Sequence, residues 1–266
     1  MIIIYIQPSD FALEKTTIWS FKERGDWATH SGEYRGNWSP YVPRNLILRY
    51  TKPGEWVLDQ FVGSGTTLVE AKLLNRHAIG LDINNKAINL AKKKLQISFD
   101  SISQIFVKQG DAANLSSIKT NGIDFVCTHP PYADIIKYSQ DIPEDISCLS
   151  LSDFLQRMSL VAQEAYRVLK PNHYCAVMMG DIRRKERIFP LGFEVMKIFL
   201  EQNFRSQEII IKEQHNCRST DYWCERHLQF LLFHTLNLIF HFLIFFLYRK
   251  NTVLLMYNFS CLPPIA

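Results

Sequence analysis

The chain has 266 residues, 47% hydrophobic and 21% charged, which excludes disorder and low complexity as descriptions of the whole and suits one large α/β domain or two small ones. Its 30 Lys+Arg against 26 Asp+Glu give a formal charge of +4, a mild surplus that suits a polyanionic partner without demanding one. The six cysteines form no CxxC pair and no cleavable leader opens the chain, so a reducing cytoplasm is expected and a disulfide framework is not.

From Glu55, the run Glu55-Trp-Val-Leu-Asp59 predicts a short strand ending in an acid, and Gln60-Phe-Val-Gly-Ser-Gly-Thr-Thr67 a glycine turn into a helix capped by Thr66 or Thr67. That helix carries Leu68, Ala71 and Leu74. A second strand, His77-Ala-Ile-Gly-Leu-Asp82, again ends in an acid, and Asn84 caps a helix with Ile88, Ala91 and Leu95 on its inner face. Residues 104–109 and 123–128 read as strands three and four. Ser152-Asp153 opens a helix with Phe154, Met158, Ala162, Ala165 and Leu169 on one side. Strand five is expected over 173–179, a helix over 191–200, strand six over 205–212 and a closing strand between 228 and 240. Strands alternating with helices of this length predict a mostly parallel α/β sheet covered on both faces. The expected division is an N-terminal segment over 1–54, the main domain over 55–240 and an apolar tail over 241–266. Residues 228–248 carry no charge and match the length of a bilayer span, yet their first half is needed as the closing strand, so a membrane is not an expected partner. A membrane-associated end or a C-terminus of altered reading frame describes the tail better than a true span, with an apolar dimer contact as a further reading.

In such a sheet the ligand lies beyond the carboxyl ends of the strands, where strand order reverses. The unusual residues fall there. Gly63 and Gly65 allow backbone to approach a ligand closely, although a tight strand-to-helix turn also asks for glycine. Asp82 is placed to accept from ribose hydroxyls, and Asp111 to bond an adenine amino group; a capping role is the alternative for each. In Thr128-His129-Pro130-Pro131-Tyr132, two prolines fix the backbone and leave carbonyl oxygens free, while Tyr132 offers a flat face for a planar amine. Stacking on such a face is worth roughly 1–3 kcal/mol per base, comparable with the cost of extruding a base from a duplex.

These residues carry a resemblance. Asp59-Gln-Phe-Val-Gly-Ser-Gly-Thr-Thr67 closely resembles the S-adenosylmethionine-binding motif of the DNA amino-methyltransferases, and Thr128-His-Pro-Pro-Tyr132 is similar to their catalytic motif. Asn37-Trp-Ser-Pro-Tyr-Val-Pro-Arg-Asn-Leu-Ile-Leu-Arg49 resembles the segment that helps hold the methionine end of the cofactor. The resemblance covers roughly residues 19–240 of one such domain. It implies a Rossmann-like class I methyltransferase with a seven-stranded sheet, S-adenosyl-L-methionine as cofactor, and transfer of its methyl group to adenine N6 or cytosine N4 of a flipped base. Asp59, Phe61, Gly63, Ser64, Gly65, Thr66, Asp82 and Asp111, with Ser39 and Pro43 upstream, are the implied cofactor residues. His129, Pro130, Pro131 and Tyr132 are the implied catalytic ones. Here the catalytic motif follows the glycine motif, whereas the commonest arrangement with this signature places it first, so the chain looks circularly permuted. His129 stands where the family has Asp, Asn or Ser. A neutral imidazole accepts from an amine and a protonated one does not, so activity is expected to fall at low pH if His129 has that role.

Double-stranded DNA is the implied partner, with a cognate restriction endonuclease and a weak homodimer as further candidates. Arg183, Arg184, Lys185 and Arg187 form a basic loop after strand five, and Lys212 and Arg218 flank the polar segment after strand six; these are the expected phosphate contacts, the alternative being a solvated charged loop. His215, Cys217, Cys224 and His227 match no common zinc spacing, so no metal is expected. Two other functions stay open: an RNA or protein amide methyltransferase, and a non-catalytic cofactor- or DNA-binding relative.

Overall fold

The structure is a computed structural model that describes residues 5–184, 187–213, 215 and 242–250. In chain order the elements are β1 (Ile18–Ser20), α1 (Tyr41–Tyr50), β2 (Trp56–Asp59), α2 (Thr66–Leu73), β3 (His77–Asp82), α3 (Asn85–Lys94), β4 (Ile105–Gln109), β5 (Ile123–Thr128), α4 (Leu151–Val168), β6 (Leu169–Met179), β7 (Ile182–Arg184), β8 (Arg187–Phe189), α5 (Leu191–Glu201), β9 (Phe204–Glu213) and β10 (Phe242–Lys250).

One sheet orders its strands β1-β9-β10-β6-β5-β2-β3-β4, and β7 and β8 form a separate antiparallel hairpin. It has eight strands instead of the seven expected. The extra one is β1, three residues pairing parallel with β9 and too short to announce itself in the sequence. The strand antiparallel to its neighbours is β10, inserted between β6 and β9. It falls in the stretch read as an apolar tail; residues 228–240, where the closing strand was expected, lie outside the described residues. Among the described residues, no helix is long and apolar enough to cross a membrane.

Successive strand residues point to opposite faces, and the core divides accordingly. Leu58, Val126, Val177 and Phe246 pack with α4 and α5 through Phe154, Met158, Val195 and Phe199. Their neighbours Val57, Phe125, Ala176 and Leu247 pack with α1 and α2 through Val42, Leu46, Leu68 and Ala71. Helices therefore cover both faces, as the alternation predicts. The sheet grows outward from β2 through β3 to β4, then restarts with β5 on the other side of β2. That reversal opens a crevice at the carboxyl ends of β2 and β5.

Helix starts refine the sequence reading. Asn84 caps α3 by accepting from Lys86 N, and Ser150, two residues before the expected Ser152, caps α4 by accepting from Asp153 N. Helix α2 begins at Thr66 behind Gly65, an N-cap residue with no side chain, so neither Thr66 nor Thr67 is the expected cap; their hydroxyls are engaged elsewhere.

Candidate active site

A cleft of about 1010 Å3, part of it open to solvent, occupies that crevice. Its floor is the glycine turn. Gly63 has φ +49 and Gly65 φ +87, both in the left-handed region. A Cβ on Gly65 would lie 3.0 Å from the Ala91 Cβ of α3, so the glycine there serves helix packing. Gly63 N donates to Asp82 Oδ2 and Asn84 N to Asp82 Oδ1, each at 2.9 Å, which fixes the carboxylate at the end of β3. Burial pushes the Asp82 carboxyl up to about 6.

Asp59, only 2% exposed, ties the two motif-bearing strand ends together. It accepts from Thr67 Oγ1 at 2.5 Å, Thr128 Oγ1 at 2.9 Å and Phe61 N at 3.1 Å. Burial raises its carboxyl to about 6 although all three donors favour the ionised form. One buried carboxylate thus holds the start of α2 and the end of β5 in fixed register.

Beyond Thr128 the chain runs into His129-Pro130-Pro131-Tyr132, and all four residues line the cleft. The His129 ring stacks on Trp38 with centroids 5.5 Å apart and an interplanar angle of 22°. Its Nε2 lies 2.8 Å from Tyr132 Oη. Burial lowers the imidazole to about 3 and raises the phenol, so both stay neutral at ordinary pH. The imidazole therefore resists protonation, which moves any loss of its acceptor capacity to lower pH.

Of the expected cofactor residues, Asp59, Phe61, Gly63, Ser64, Asp82 and Asp111 line the same cleft as the loop from His129 to Tyr132. The others stand behind it. Thr66 Oγ1 donates to Asn37 Oδ1 at 2.6 Å, Ser39 Oγ donates to Arg24 O at 2.7 Å, and Pro43 is buried in α1. Asp111 is ion-paired with Arg157 and accepts from Ala113 N at 2.9 Å. The sequence reading missed the aromatic wall: Tyr34 and Tyr138 stack with centroids 5.9 Å apart, and Tyr138 Oη donates to Arg35 O at 3.0 Å. It also missed Asp145, whereas Asn37, the first residue of the upstream segment, is in the lining as that resemblance implies.

The expected DNA contacts separate. Arg183 and Arg184 lie in β7 and Arg187 in β8, so the basic loop is a hairpin. Arg184 is ion-paired with Asp134, two residues after Tyr132, which anchors the hairpin beside the loop from His129 to Tyr132. Arg187 is exposed. Lys212 is a correction: it sits in β9 only 9% exposed, and its Nζ donates to Glu213 O at 2.7 Å, so it has no open path to a phosphate. Lys185, Arg218, Cys217, Cys224 and His227 lie outside the described residues. His215 Nε2 is 2.8 Å from Ser20 Oγ.

A parallel sheet with a glycine turn and a Pro-Pro-Tyr loop meeting at its switch point is the frame of a methyltransferase, and the chain belongs to the methyltransferase domain family, whose profile matches residues 51–229. Residues 8–93 match the profile of a DNA methylase family. Among curated relatives, the type II methyltransferase M2.DpnII of Streptococcus pneumoniae is 46% identical over 56 residues, covering 21% of this chain and 21% of the relative. The tRNA (guanine(10)-N2)-dimethyltransferase of Methanothermobacter thermautotrophicus is 32% identical over 100 residues, covering 37% of this chain and 29% of the relative. The match thus spans less than a third of either relative. Among solved structures, TrmN from Thermus thermophilus superposes with a TM-score of 0.54 at 19% identity, covering 81% of this chain and 50% of that one, a likeness of fold.

Proposed function

We propose that the protein is an S-adenosylmethionine-dependent DNA methyltransferase acting on the exocyclic amine of a flipped adenine (N6) or cytosine (N4). The observation that carries this reading is the meeting of the glycine turn at Gly63 and the loop from His129 to Tyr132 in one cleft. The cleft suits the cofactor. Gly63 offers close backbone approach, Asp82 stands at the strand end where a ribose is held, and the wall carries acidic side chains with no lysine or arginine among the described lining residues, as a cationic ligand requires. When bound, S-adenosylmethionine supplies an electrophilic methyl group on its sulfonium.

The chain's own residues then position the amine. Pro131 contributes no N–H, and the Pro130 carbonyl stands free to accept an amine hydrogen. In the tautomer protonated at Nε2, toward Tyr132, His129 presents Nδ1 as a second acceptor. Two acceptors on one nitrogen raise its electron density and aim its lone pair. Tyr132 gives the base a face to stack on, and the Asp59 tie to Thr128 keeps the loop from drifting away from the glycine turn. Catalysis on this account is positioning and electrostatics. Arg187 and its hairpin neighbours supply phosphate contacts. A cognate restriction endonuclease, a weak homodimer and a cytoplasmic setting complete the proposal.

Tritiated methyl transfer from S-adenosylmethionine to unmethylated genomic DNA and to bulk tRNA tests it. Label in DNA is the expected result. Label in tRNA alone favours an RNA amine as substrate, a second reading that the similarity to the tRNA dimethyltransferase supports. Bound cofactor with label in neither contradicts a catalytic role.

A further inference from the structure

Trp38 stands between the two halves of the cleft. It is only 6% exposed and belongs to the core layer of α1 and α2, yet it also lines the cleft wall. Its backbone is pinned. Arg24 Nη1 donates to Trp38 O at 2.7 Å, and the neighbouring Asn37 Oδ1 accepts from Thr66 Oγ1 at 2.6 Å, at the start of α2. The indole is thereby tied to the helix that follows the glycine turn, while its face meets the His129 ring with centroids 5.5 Å apart and planes at 22°.

A stacked face fixes the plane of a ring, and a hydrogen bond at one edge fixes its rotation within that plane. His129 has both. Trp38 covers one face, and Tyr132 Oη lies 2.8 Å from Nε2. The edge left over carries Nδ1, which has no hydrogen-bond partner among the described residues and is not one of their buried unpartnered atoms, so it keeps surface within the cleft lining. Holding the ring matters because an imidazole turned by a half rotation about its Cβ–Cγ bond presents a carbon where Nδ1 stood. A ring left to turn offers an acceptor only part of the time.

We propose that Trp38 is a positioning residue for methyl transfer, whose ring holds the His129 imidazole in the plane that presents Nδ1 to the target amine. Trp38 then acts on the rate through His129 and not by a contact of its own. This rests on the methyltransferase reading given above. It gives the upstream segment a task in orienting the acceptor, apart from any part in holding the cofactor.

Steady-state methyl transfer to DNA by the full chain tests it, with Trp38→Leu, which keeps apolar bulk without a flat face, and Trp38→Phe, which keeps the face. Trp38→Leu should lower kcat roughly 2–12-fold, the factor an aromatic pair is worth, with KM for S-adenosylmethionine unchanged, and Trp38→Phe should restore most of the loss. In a His129→Asn background the same Trp38→Leu step should change kcat by less than about 2-fold, because the ring it acted on is gone. A step as large in that background as in the wild type overturns the inference. So does a raised KM for S-adenosylmethionine with kcat intact, which would set Trp38 against the cofactor instead. If Trp38→Leu does not fold, 15N-histidine NMR of the wild type reads the same claim, with the His129 signals assigned by their loss in His129→Asn. One neutral tautomer with Nδ1 bare is expected, and a mixture of tautomers overturns the inference. Wild type that transfers no methyl group overturns the methyltransferase reading itself, and this role with it.

Discussion

Glu70 and Asp59 are both buried carboxylates, at opposite ends of the same short helix α2 region, and they are held in different ways. Glu70, wholly buried, takes Arg44 Nη1 at 2.8 Å, His30 Nε2 at 2.7 Å and Trp27 Nε1 at 2.8 Å. The same Arg44 guanidinium lies 5.0 Å from the Phe11 ring centroid. That network fastens the segment before β2 onto α2, and a cation sits at its centre. Asp59 has three donors as well, but they are two hydroxyls and a backbone N–H, and burial displaces its carboxyl upward although each of them favours the ionised form. Asp124, at the opposite ends of the strands from the cleft, follows the Glu70 pattern with Lys170 Nζ at 2.5 Å. Glu70 and Asp124 are matched with cations, whereas among the cleft carboxylates only Asp111 is ion-paired with a described residue, through Arg157.

Breaking the matched kind should give the largest effect. Arg44→Leu leaves Glu70 buried without its cation and should cost about 3–5 kcal/mol in urea unfolding; a loss near zero would show that Glu70 does not need its partner. On the cleft side, Tyr132→Ala removes the stacking face, worth roughly 1–3 kcal/mol, and should lower kcat/KM by about 5–150-fold with an unchanged circular dichroism spectrum. Gly65→Ala places a side chain in the left-handed region and 3.0 Å from the Ala91 Cβ, so thermal unfolding should report a loss of about 1–2 kcal/mol from conformation alone.

The smallest effects are in pH dependence, and their signs differ by residue. Asp59 and Asp82 are raised to about 6 in the fold from 3.8, so the folded chain takes up their protons first and their contribution to stability grows as pH falls from 7 toward 4. His129 acts oppositely: lowered from 6.5 to about 3, it stays neutral while the unfolded imidazole gains a proton, and its contribution falls over the same window. Unfolding of wild type and His129→Gln at pH 7 and pH 5 separates the two, with the variant gaining stability relative to wild type at the lower pH. Binding of a cationic ligand should weaken over that range as the two carboxylates are neutralised.

Much of this arrangement is legible in the sequence because it is local. The β2-turn-α2 and β3-α3 units announce themselves through short apolar runs, acids at strand ends and glycines, and the residues of both motifs converge as strand order requires. What escaped depends on distant partners. Tyr138 reaches Arg35, 103 positions away, and Thr128 reaches Asp59 across 69, and no spacing rule encodes either pairing. Strand β10 lies in the stretch read as a tail because residues 228–248 carry no charge to mark which part enters the sheet. Lys212 was read as a surface charge because a lysine's type does not say which side of a strand it occupies.

The most direct test of the central claim is mass spectrometry of nucleosides from unmethylated DNA incubated with the protein and S-adenosylmethionine bearing a deuterated methyl group. The account predicts labelled N6-methyladenine or N4-methylcytosine with wild type and a sharp drop with Tyr132→Ala. Label on a ring carbon, or equal labelling by both proteins, would contradict it.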